Sequence, residues 1–400
     1  MGEFSLFEHN SNKRILYLEN LLDSKAYSKK KVALKKELSG YLEIRFKNWA
    51  NATPEDVRLF LLEKEKAGKT QVHDLDCQFV GCTGLKDCFC PKRLAAGTVS
   101  STVAQLKSLF DDMGKRGEWV DSGIRKYGNP ILSNVVDRYV KAIKLEQARA
   151  HVPIKQAKPL FLDKLRKISE FIDQKLIGDN SGLGNRFILL RDQSFFKLQF
   201  FAGDRAHDLS LCLAQEVKKL PHNQGLVFCH TVGKTLGNGK TNQFVIAPVT
   251  DKTVCPVNGL YRYVTGAKGM DIELNFGYLF RTLDLSHKKV LESPVSSSGM
   301  NARLQTYLKA LGIFEGETVH GLRGGSAITL ASNSVASGEE IMDHIGWRGR
   351  ASLERYSRMR QLSESSSVGA IFAKLADSDA GNVSDIYDKF GDFSLLPLAF

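Results

Sequence analysis

The sequence has no long hydrophobic run, no secretory signal pattern and no internal repeat. No stretch of about 18 uncharged apolar residues occurs, whereas a membrane-spanning helix needs about 20. The first 20 residues carry Glu3, Glu8 and Glu19 among short apolar pieces, which is not the pattern of a secretory signal. We therefore expect an intracellular protein that does not enter a membrane.

The chain is long enough for more than one hydrophobic core, because 400 residues exceed the size at which single cores stop growing. Apolar residues make up 42% and charged residues 25%, as in an ordinary soluble globular protein. Residues 152–159 are short, basic and contain two prolines, which predicts a linker. We expect a first domain over residues 1–155, a second over 156–377 and an acidic tail over 378–400.

The net charge of +12 is unevenly distributed along the chain. Residues 1–150 hold 26 Lys and Arg against 19 Asp and Glu, residues 151–360 hold 28 against 19, and residues 361–400 hold 2 against 6. Two basic blocks followed by an acidic tail suit a polyanionic partner such as nucleic acid. A solvated basic surface without such a partner explains the charge equally well.

Amphipathic patterns predict a helical first domain. Thr53 and Pro54 mark a helix start, because threonine can cap, proline suits the first helical position, and acidic residues follow in the first turn. The predicted helices cover residues 13–22, 31–49, 54–67, 100–113 and 131–151.

The second domain has a mixed pattern. Apolar, β-favouring runs at 226–230 and 243–247 flank a Gly- and Asn-rich stretch at 231–240, which predicts a β-hairpin with a long turn. The other predicted elements are helices at 162–177 and 186–201, a strand at 278–281, and helix from there to about residue 375. The expected fold class is mainly α with a small antiparallel β-sheet.

The cysteines are clustered rather than evenly spread. Cys77, Cys82, Cys88 and Cys90 share one short window, and in an intracellular chain such clustering indicates metal rather than disulfides. His73 with Cys77, Cys88 and Cys90 is a good tetrahedral zinc set, and Cys82 is a fifth candidate. Incidental free thiols are the alternative.

The strongest functional pattern combines His320-Gly321-Leu322-Arg323, Ile345-Gly346-Trp347 and Tyr356 with an upstream segment at 203–208. Each fragment alone says little, because a lone His-x-x-Arg is commonly a surface helix turn, and a Gly-Trp or an isolated Tyr is commonly packing. Their order, their spacing and the intervening hairpin favour a functional site.

This pattern resembles the catalytic domain of tyrosine recombinases, the phage integrase family, over residues 160–377. That family uses an Arg early in the domain, a Lys on a β-hairpin, His-x-x-Arg, a His or Trp after Gly, and then a Tyr. Trp347 follows Arg323 by 24 residues and precedes Tyr356 by nine, close to the family's spacing. The resemblance implies that Tyr356 is the nucleophile.

The chemistry of the residue types fits such a reaction. Cleavage of a phosphodiester without metal needs positive charge at the two non-bridging oxygens, which Arg205 and Arg323 can supply through permanently charged, bidentate donors. A tyrosine hydroxyl has a normal pKa of ~10, so Tyr356 needs cations nearby and a proton acceptor, for which His320 is the candidate.

Three further roles complete the predicted site. The resemblance assigns protonation of the departing 5′ oxygen to the hairpin lysine, which is Lys234 after its glycine, with Lys240 as the alternative. Trp347 stands where many relatives have His; it can donate one N–H to a phosphate oxygen and buttress the nucleophile, but it cannot shuttle a proton. Asp208 matches the family's acidic position and is expected to orient Arg205. No cofactor is expected for catalysis.

The cysteine-rich segment and the helices that follow it to Ala150 resemble the ALOG domain over residues 30–155. That DNA-binding domain is shared by plant developmental regulators and recombinases of DIRS-like retrotransposons, and it is helical with a zinc-ribbon insert, here at 69–93. The resemblance implies the zinc ligands His73, Cys77, Cys88 and Cys90, whereas Cys82 departs from the pattern. A closed four-ligand site is structural, because it has no open position for catalysis.

Together the resemblances imply a two-domain DNA clamp in a nuclear, site-specific recombinase or integrase of a DIRS-like or Crypton-like transposable element. Such an enzyme binds double-stranded DNA, forms a 3′-phosphotyrosine intermediate and assembles as a tetramer, here with a predicted helix at 368–375 docking on a neighbouring subunit. The alternatives are a catalytically silent DNA-binding regulator, a type IB topoisomerase and a basic scaffold for acidic proteins. The complete set of catalytic residue types argues against the first and third, and the ALOG-like half argues against the second.

Overall fold

The computed structural model describes residues 11, 13–15, 25–82, 88–152, 157–178, 182–233, 236, 239–332, 336–347, 349–350 and 353–354. The chain divides into two compact units, Met1–Lys155 and Gln156–Phe400, each of which is considered by itself. Among the helices in these ranges, none combines the length and apolar character needed to span a bilayer. The helix predicted at 368–375 lies outside the described residues.

The first unit is a bundle of helices around one apolar core. Its helices are α1 (Lys25–Glu43), α2 (Pro54–Glu65), α3 (Ala96–Asp112) and α4 (Asn134–Arg149). Buried apolar side chains from all four helices meet in this core, including Phe60, Phe110 and Val136. Helix α2 begins as predicted: the Thr53 hydroxyl accepts the backbone N–H of Asp56, and the Asp56 carboxylate accepts the backbone N–H of Thr53 at 2.9 Å.

An insert between α2 and α3 is closed at its base by a pair of short strands, which we call the clasp. Strands β1 (Thr70–Gln71) and β2 (Lys92–Arg93) pair antiparallel. A Cβ on Gly68 would lie 1.8 Å from the carbonyl carbon of Arg93, so the two backbones approach closely only because this residue is glycine. Beyond the clasp, Gln147 of α4 donates to the Leu94 carbonyl at 2.7 Å, which ties the base of the insert to the bundle. A second short hairpin, β3 (Val120–Asp121) with β4 (Lys126–Tyr127), lies between α3 and α4.

The second unit is organised around one buried helix. Its helices are α5 (Leu162–Gly178), α6 (Leu183–Ala202), α7 (Ala206–Ser210), α8 (Pro256–Lys268), α9 (Ser297–Ala310), α10 (Val319–Ser332) and α11 (Gly338–Ile345). Helix α6 is buried continuously from Phe187 to Phe200 and packs against α5, α8 and α10. Its one buried carboxylate on this stretch, Asp192, pairs with Arg191 at 2.7 Å and with Arg303 of α9 at 2.6 Å. Pairing compensates the cost of burying that charge.

A three-stranded antiparallel sheet stands beside these helices. Its strands are β5 (Val217–Lys219), β6 (Leu226–His230) and β7 (Asn242–Ile246), in the order β5-β6-β7. Phe228 is paired with Phe244 and His230 with Asn242, and alternate residues of β6 are buried. The predicted hairpin is therefore confirmed, and β5 adds a third strand. A separate pair is formed by β8 (Arg281–Leu283) and β9 (Val290–Pro294).

The predicted fold class, mainly α with small antiparallel sheets, is confirmed, while three local predictions are wrong. The helix predicted at 31–49 ends at Glu43, because Phe46 takes a left-handed φ of 56° and Lys47 turns back to an ion pair with Asp56 at 2.6 Å. The strand predicted at 278–281 begins only at Arg281. The continuous helix predicted after it is interrupted by β9, which pairs with β8.

Candidate active site and metal cluster

The loop that carries Arg205 is shaped by a glycine. Helix α6 ends at Ala202, and Gly203 caps it with a left-handed φ of 58°. A Cβ on Gly203 would lie 2.8 Å from Cγ1 of Ile345 in α11, so α6 and α11 approach closely at this point. Asp204 follows, and its carboxylate accepts the backbone N–H of Arg205 at 2.7 Å. The loop is thus fixed at Arg205, directly before α7 begins at Ala206.

The side chain of Arg205 is held by Asp208. Nη1 of Arg205 donates to Oδ2 of Asp208 at 3.3 Å. The Asp208 side chain is 6% exposed, whereas that of Arg205 is 27% exposed. The guanidinium is therefore oriented from the protein side and is accessible from the solvent side.

Arg323 ties three segments of the second unit together. It lies on α10 and is 3% exposed. Its Nη1 donates to the carbonyl oxygen of Gly203 at 2.7 Å and to that of Ile345 at 3.1 Å. Its guanidinium carbon lies 5.5 Å from the ring centroid of Trp347, within cation–π range. These contacts position Arg323 next to the Arg205 loop with little conformational freedom.

His320 lies on the same face of α10 as Arg323, because residues three apart on a helix are neighbours. Its side chain is exposed at one edge. The pKa of His320 is lowered because the surrounding protein desolvates the charged form and because the guanidiniums of Arg323 and Arg205 repel it. At neutral pH the imidazole is therefore uncharged and can accept a proton.

Trp347 follows the end of α11 and packs inward. Gly346 caps α11 with φ 72°, and the backbone N–H of Trp347 donates to the Met342 carbonyl at 2.8 Å. The indole is 9% exposed and belongs to a small apolar cluster with Ala327 and Ile341. The Trp347 side chain thus supports the guanidinium of Arg323 from within the core.

Both ends of the hairpin turn lie close to this site. A Cβ on Gly233 would lie 3.2 Å from Cγ of Asp208, so the start of the turn lies against the carboxylate that holds Arg205. A Cβ on Gly346 would lie 3.0 Å from Nδ2 of Asn242, so the first residue of β7 lies against the turn before Trp347. Lys240 in the turn is exposed.

The structure brings Arg205, Asp208, His320, Arg323 and Trp347 into one region. Lys234 and Tyr356 lie outside the described residues. Tyr307 does not suit the role of nucleophile, because it is 3% exposed, donates to Asp192 at 2.9 Å, and has a pKa raised by burial and by the charge of Asp192.

Sequence reasoning gave no role to Gly203, Asp204 or His230, although all three support the site. The glycine and the aspartate directly precede Arg205, so their position in the motif was the available signal. His230 ends the inward-facing series of β6, and a polar residue at a buried strand position was its signal.

The cysteine-rich insert of the first unit contains a compact group of ligand atoms. His73, Cys77, Cys88 and Cys90 each offer one atom within 4.8 Å of the others. Nδ1 of His73 lies 3.5 Å from Sγ of Cys77 and 3.3 Å from Sγ of Cys88, and the two sulfurs lie 3.7 Å apart. Tetrahedral zinc bonds of about 2.3 Å to sulfur and about 2.0 Å to nitrogen separate such atoms by roughly 3.5–3.8 Å. The donor set therefore fits zinc.

The remaining cysteine of the insert has a different position. Cys82 is exposed and is absent from this group of ligand atoms. Its carbonyl oxygen lies 3.0 Å from Nε2 of His73. A ligating histidine commonly donates its second ring N–H to such a carbonyl, which leaves Nδ1 facing the metal.

The first part of the chain matches a known domain family. Residues 26–145 match the family model described as the ALOG domain. Protein LIGHT-DEPENDENT SHORT HYPOCOTYLS 5 of Arabidopsis thaliana is 28% identical over 104 residues, which are 26% of this chain and 53% of that protein. Protein G1-like5 of Oryza sativa subsp. japonica is 32% identical over 92 residues, 23% of this chain and 41% of that protein. The chain thus spans about half the length of these relatives, or less.

A solved structure is similar over most of the chain. The XerH site-specific recombinase, crystallised with its palindromic difH substrate as a post-cleavage complex, gives a TM-score of 0.51 at 15% identity, covering 82% of this chain and 76% of that one. At this identity the similarity concerns the fold. This chain therefore combines an ALOG-like domain with the fold of a tyrosine recombinase.

Proposed function

We propose that the protein is a site-specific DNA recombinase or integrase of a mobile element, which cleaves a strand with Tyr356 and rejoins it to a partner strand. The observation that carries the proposal is the attachment of Arg323 to the Arg205 loop, through its bond of 2.7 Å to the Gly203 carbonyl. His320 lies one helical turn away, and desolvation and both guanidiniums keep it neutral. Two fixed cations beside a neutral imidazole suit a phosphodiester in its transition state.

In the proposed reaction, Arg205 and Arg323 bind the two non-bridging oxygens of the scissile phosphate. The Tyr356 hydroxyl attacks phosphorus, and His320 accepts its proton. The bond from phosphorus to the 5′ oxygen breaks, that oxygen takes a proton from Lys234, and a 3′-phosphotyrosine remains. A 5′ hydroxyl of a partner strand then attacks this phosphodiester and gives its proton to the neutral Lys234, while the departing Tyr356 oxygen takes back the proton held by His320. Because the intermediate conserves the phosphoester bond, rejoining needs no ATP.

The first unit would bind double-stranded DNA as part of the same enzyme. Its net basic charge suits the phosphate backbone. A zinc ion on His73, Cys77, Cys88 and Cys90 would supply folding energy to the insert and no chemistry. We propose that residues 1–155 form the DNA-binding domain, residues 156–377 the catalytic domain and residues 378–400 an acidic tail. The protein would act on DNA in the nucleus.

The decisive experiment is covalent capture of DNA. The full chain is incubated with a library of nicked duplexes whose central segment is randomised, and protein-bound strands are recovered from a denaturing gel and sequenced. Cleavage near a nick releases a short fragment that cannot religate, so the adduct accumulates. We expect wild type to capture related sequences, and Tyr356→Phe to bind the same duplexes without forming an adduct. Arg205→Ala should lose about 3 kcal/mol of transition-state stabilisation.

A second function, a DNA-binding regulator without catalysis, is favoured by one observation. The ALOG match ends at residue 145, before the second unit begins, so the match to a known family bears on DNA binding by the first unit and not on catalysis by the second. A wild-type chain that binds the library and captures no member of it would establish this function and refute the first.

The proposal also includes self-association to a tetramer on DNA. The sequence places apolar residues at helical spacing in 368–375, after a serine-rich joint, and so short a helix needs a surface to bury them. Truncation after Gln361 should leave binding to a half-site intact and remove assembly on paired sites. Unchanged assembly, measured by gel mobility with two half-sites, would contradict this part of the proposal.

A further inference from the structure

A buried histidine stands between the two segments that support the candidate active site. His230 is the last residue of β6, directly before the hairpin turn, and is 2% exposed. Its ring lies 5.5 Å from the ring of Phe244 and 6.1 Å from that of Phe228. These contacts hold the imidazole inside the core at the base of the hairpin.

Two buried carboxylates flank this imidazole. Oδ2 of Asp204 lies 3.0 Å from Nε2 of His230, and Oε2 of Glu216 lies 3.9 Å from its Nδ1. Burial opposes a charge on His230, but Asp204, the Cys212 thiol and Glu216 outweigh it and raise the pKa of His230 to about 12. Two carboxylates that leave water need a countercharge, and an imidazolium between them supplies it.

Each carboxylate also binds a different backbone segment. Asp204 accepts the N–H of Arg205 at 2.7 Å and so belongs to the Arg205 loop. Glu216 accepts the N–H of Leu213 at 2.9 Å and that of Thr231 at 2.9 Å, and it also accepts the Thr231 hydroxyl. Thr231 begins the hairpin turn. The charged ring of His230 therefore connects the Arg205 loop with the base of the hairpin.

The alternative to an ionic link is a metal site, because ligand atoms of Cys212, Glu216 and His230 lie within 4.8 Å of one another. The chemistry disfavours it. The Cys212 thiol already donates to the Leu213 carbonyl oxygen, at 3.5 Å from Sγ to that oxygen. Both oxygens of Glu216 already accept hydrogen bonds from backbone N–H groups.

We propose that His230 is a positioning residue, an imidazolium that locks the hairpin carrying the candidate general acid to the loop carrying Arg205. The lock itself follows from the contacts above, while its effect on strand cleavage rests on the function proposed for the chain. Lys234 is four residues after His230 in the sequence, so a hairpin that shifts at its base misplaces this lysine relative to the phosphate. A displacement of about 1 Å can slow an enzyme on the order of 100-fold.

The test compares His230→Gln with wild type in the full chain. Covalent adduct formation should fall on the order of 100-fold on a normal phosphodiester. On a substrate with a 5′-bridging phosphorothiolate, whose sulfur leaves without a proton, most of the loss should disappear. DNA affinity should not change. An equal loss on both substrates, or no loss on either, would overturn the hairpin role.

Two further variants separate positioning from general destabilisation. Phe187→Leu truncates a fully buried side chain near the start of α6, at the opposite end of that helix from Gly203, without removing a charge, so it should lower the melting temperature and keep the adduct rate. The double variant Asp204→Asn with His230→Gln removes the charge together with one of the carboxylates it compensates. It should melt at a higher temperature than His230→Gln and show the same loss of adduct. A Phe187→Leu variant as slow as His230→Gln would contradict positioning by charge.

Amide hydrogen exchange measures the lock without reference to catalysis. In His230→Gln, exchange of a peptide over residues 226–246 should accelerate, while a peptide over α8 should not change. This result stands even if wild type captures no DNA, in which case the proposed function fails and the lock remains. Unchanged exchange in the hairpin refutes the lock. A second metal ion per chain that is lost in His230→Gln would also refute it, because His230 would then be a ligand.

Discussion

Replacement of Gly203 by alanine should reveal how tightly α6, α10 and α11 converge behind the candidate site. Gly203 has φ 58°, and a Cβ there would lie 2.8 Å from Cγ1 of Ile345 and 3.2 Å from Oγ of Ser326. The left-handed φ costs an alanine roughly 1–2 kcal/mol. Overpacking against Ile345 and Ser326 adds roughly 1–3 kcal/mol. The variant should therefore lose roughly 2–5 kcal/mol in free energy of unfolding.

Gly312 provides the matched control. It has a similar φ of 70°, and a Cβ there would meet no atom within 4 Å. Gly312→Ala therefore carries the cost of φ without the packing cost. For a unit of this size, 1 kcal/mol corresponds to about 2–4 °C, so Gly203→Ala should melt roughly 2–12 °C below Gly312→Ala. Thermal unfolding followed by circular dichroism measures this difference.

The same pair of variants also tests the connection to the site. Because the Ile345 carbonyl binds Arg323, displacement of Ile345 should disturb that guanidinium. Below both melting temperatures, Gly203→Ala should form the covalent adduct more slowly than Gly312→Ala. Equal melting temperatures for the two variants would refute the packing argument, and equal adduct rates would refute the connection to Arg323.

Three further predictions concern the metal cluster, the general acid and the buried histidine. Elemental analysis should find one zinc per chain, lost in Cys88→Ser with unfolding of the first unit and retained in Cys82→Ser; no zinc in freshly purified protein would refute the site. Lys234→Ala should be rescued by a 5′-bridging phosphorothiolate, and rescue of Lys240→Ala instead would reassign the general acid. Since the pKa of His230 is raised from 6.5 to about 12, its charge stabilises the fold fully below pH 6.5 and less as pH rises toward 12. The difference in melting temperature between wild type and His230→Gln should therefore shrink between pH 6 and pH 9, and a growing difference would contradict the ionic link.

Local signals in the sequence were sufficient for some features of this protein. The hairpin was predictable because two β-favouring runs flank a turn rich in glycine, and the Cys/His cluster because ligand types recur within one short window. Helix α2 was predictable from its cap and its proline. Each of these depends on residues close together in the chain.

Other features depend on contacts between distant residues and left no local signal. Strands β8 and β9 are stabilised by pairing with each other, and neither has a strong alternating pattern by which it could be recognised in the sequence. His230 is a histidine at the end of a strand in the sequence, and its partners Asp204 and Glu216 lie 26 and 14 residues before it. The end of α1 at Glu43 reflects an ion pair with α2 rather than a break in helical pattern.

The clasp at the base of the cysteine-rich insert has a consequence for how this protein can change. Because β1 and β2 bring residues 70 and 93 side by side, the chain enters and leaves the insert at nearly the same point. Among the described residues, the bundle of α2, α3 and α4 meets the insert at this clasp, at the Gln147 contacts beside it, and where a Cβ on Gly81 would lie 3.6 Å from Cβ of His151. An insert of different length that ends in the same two strands would leave and rejoin the bundle at the same point. The clasp therefore fixes where the insert is attached, and the length of chain between residues 71 and 92 can vary without moving that point.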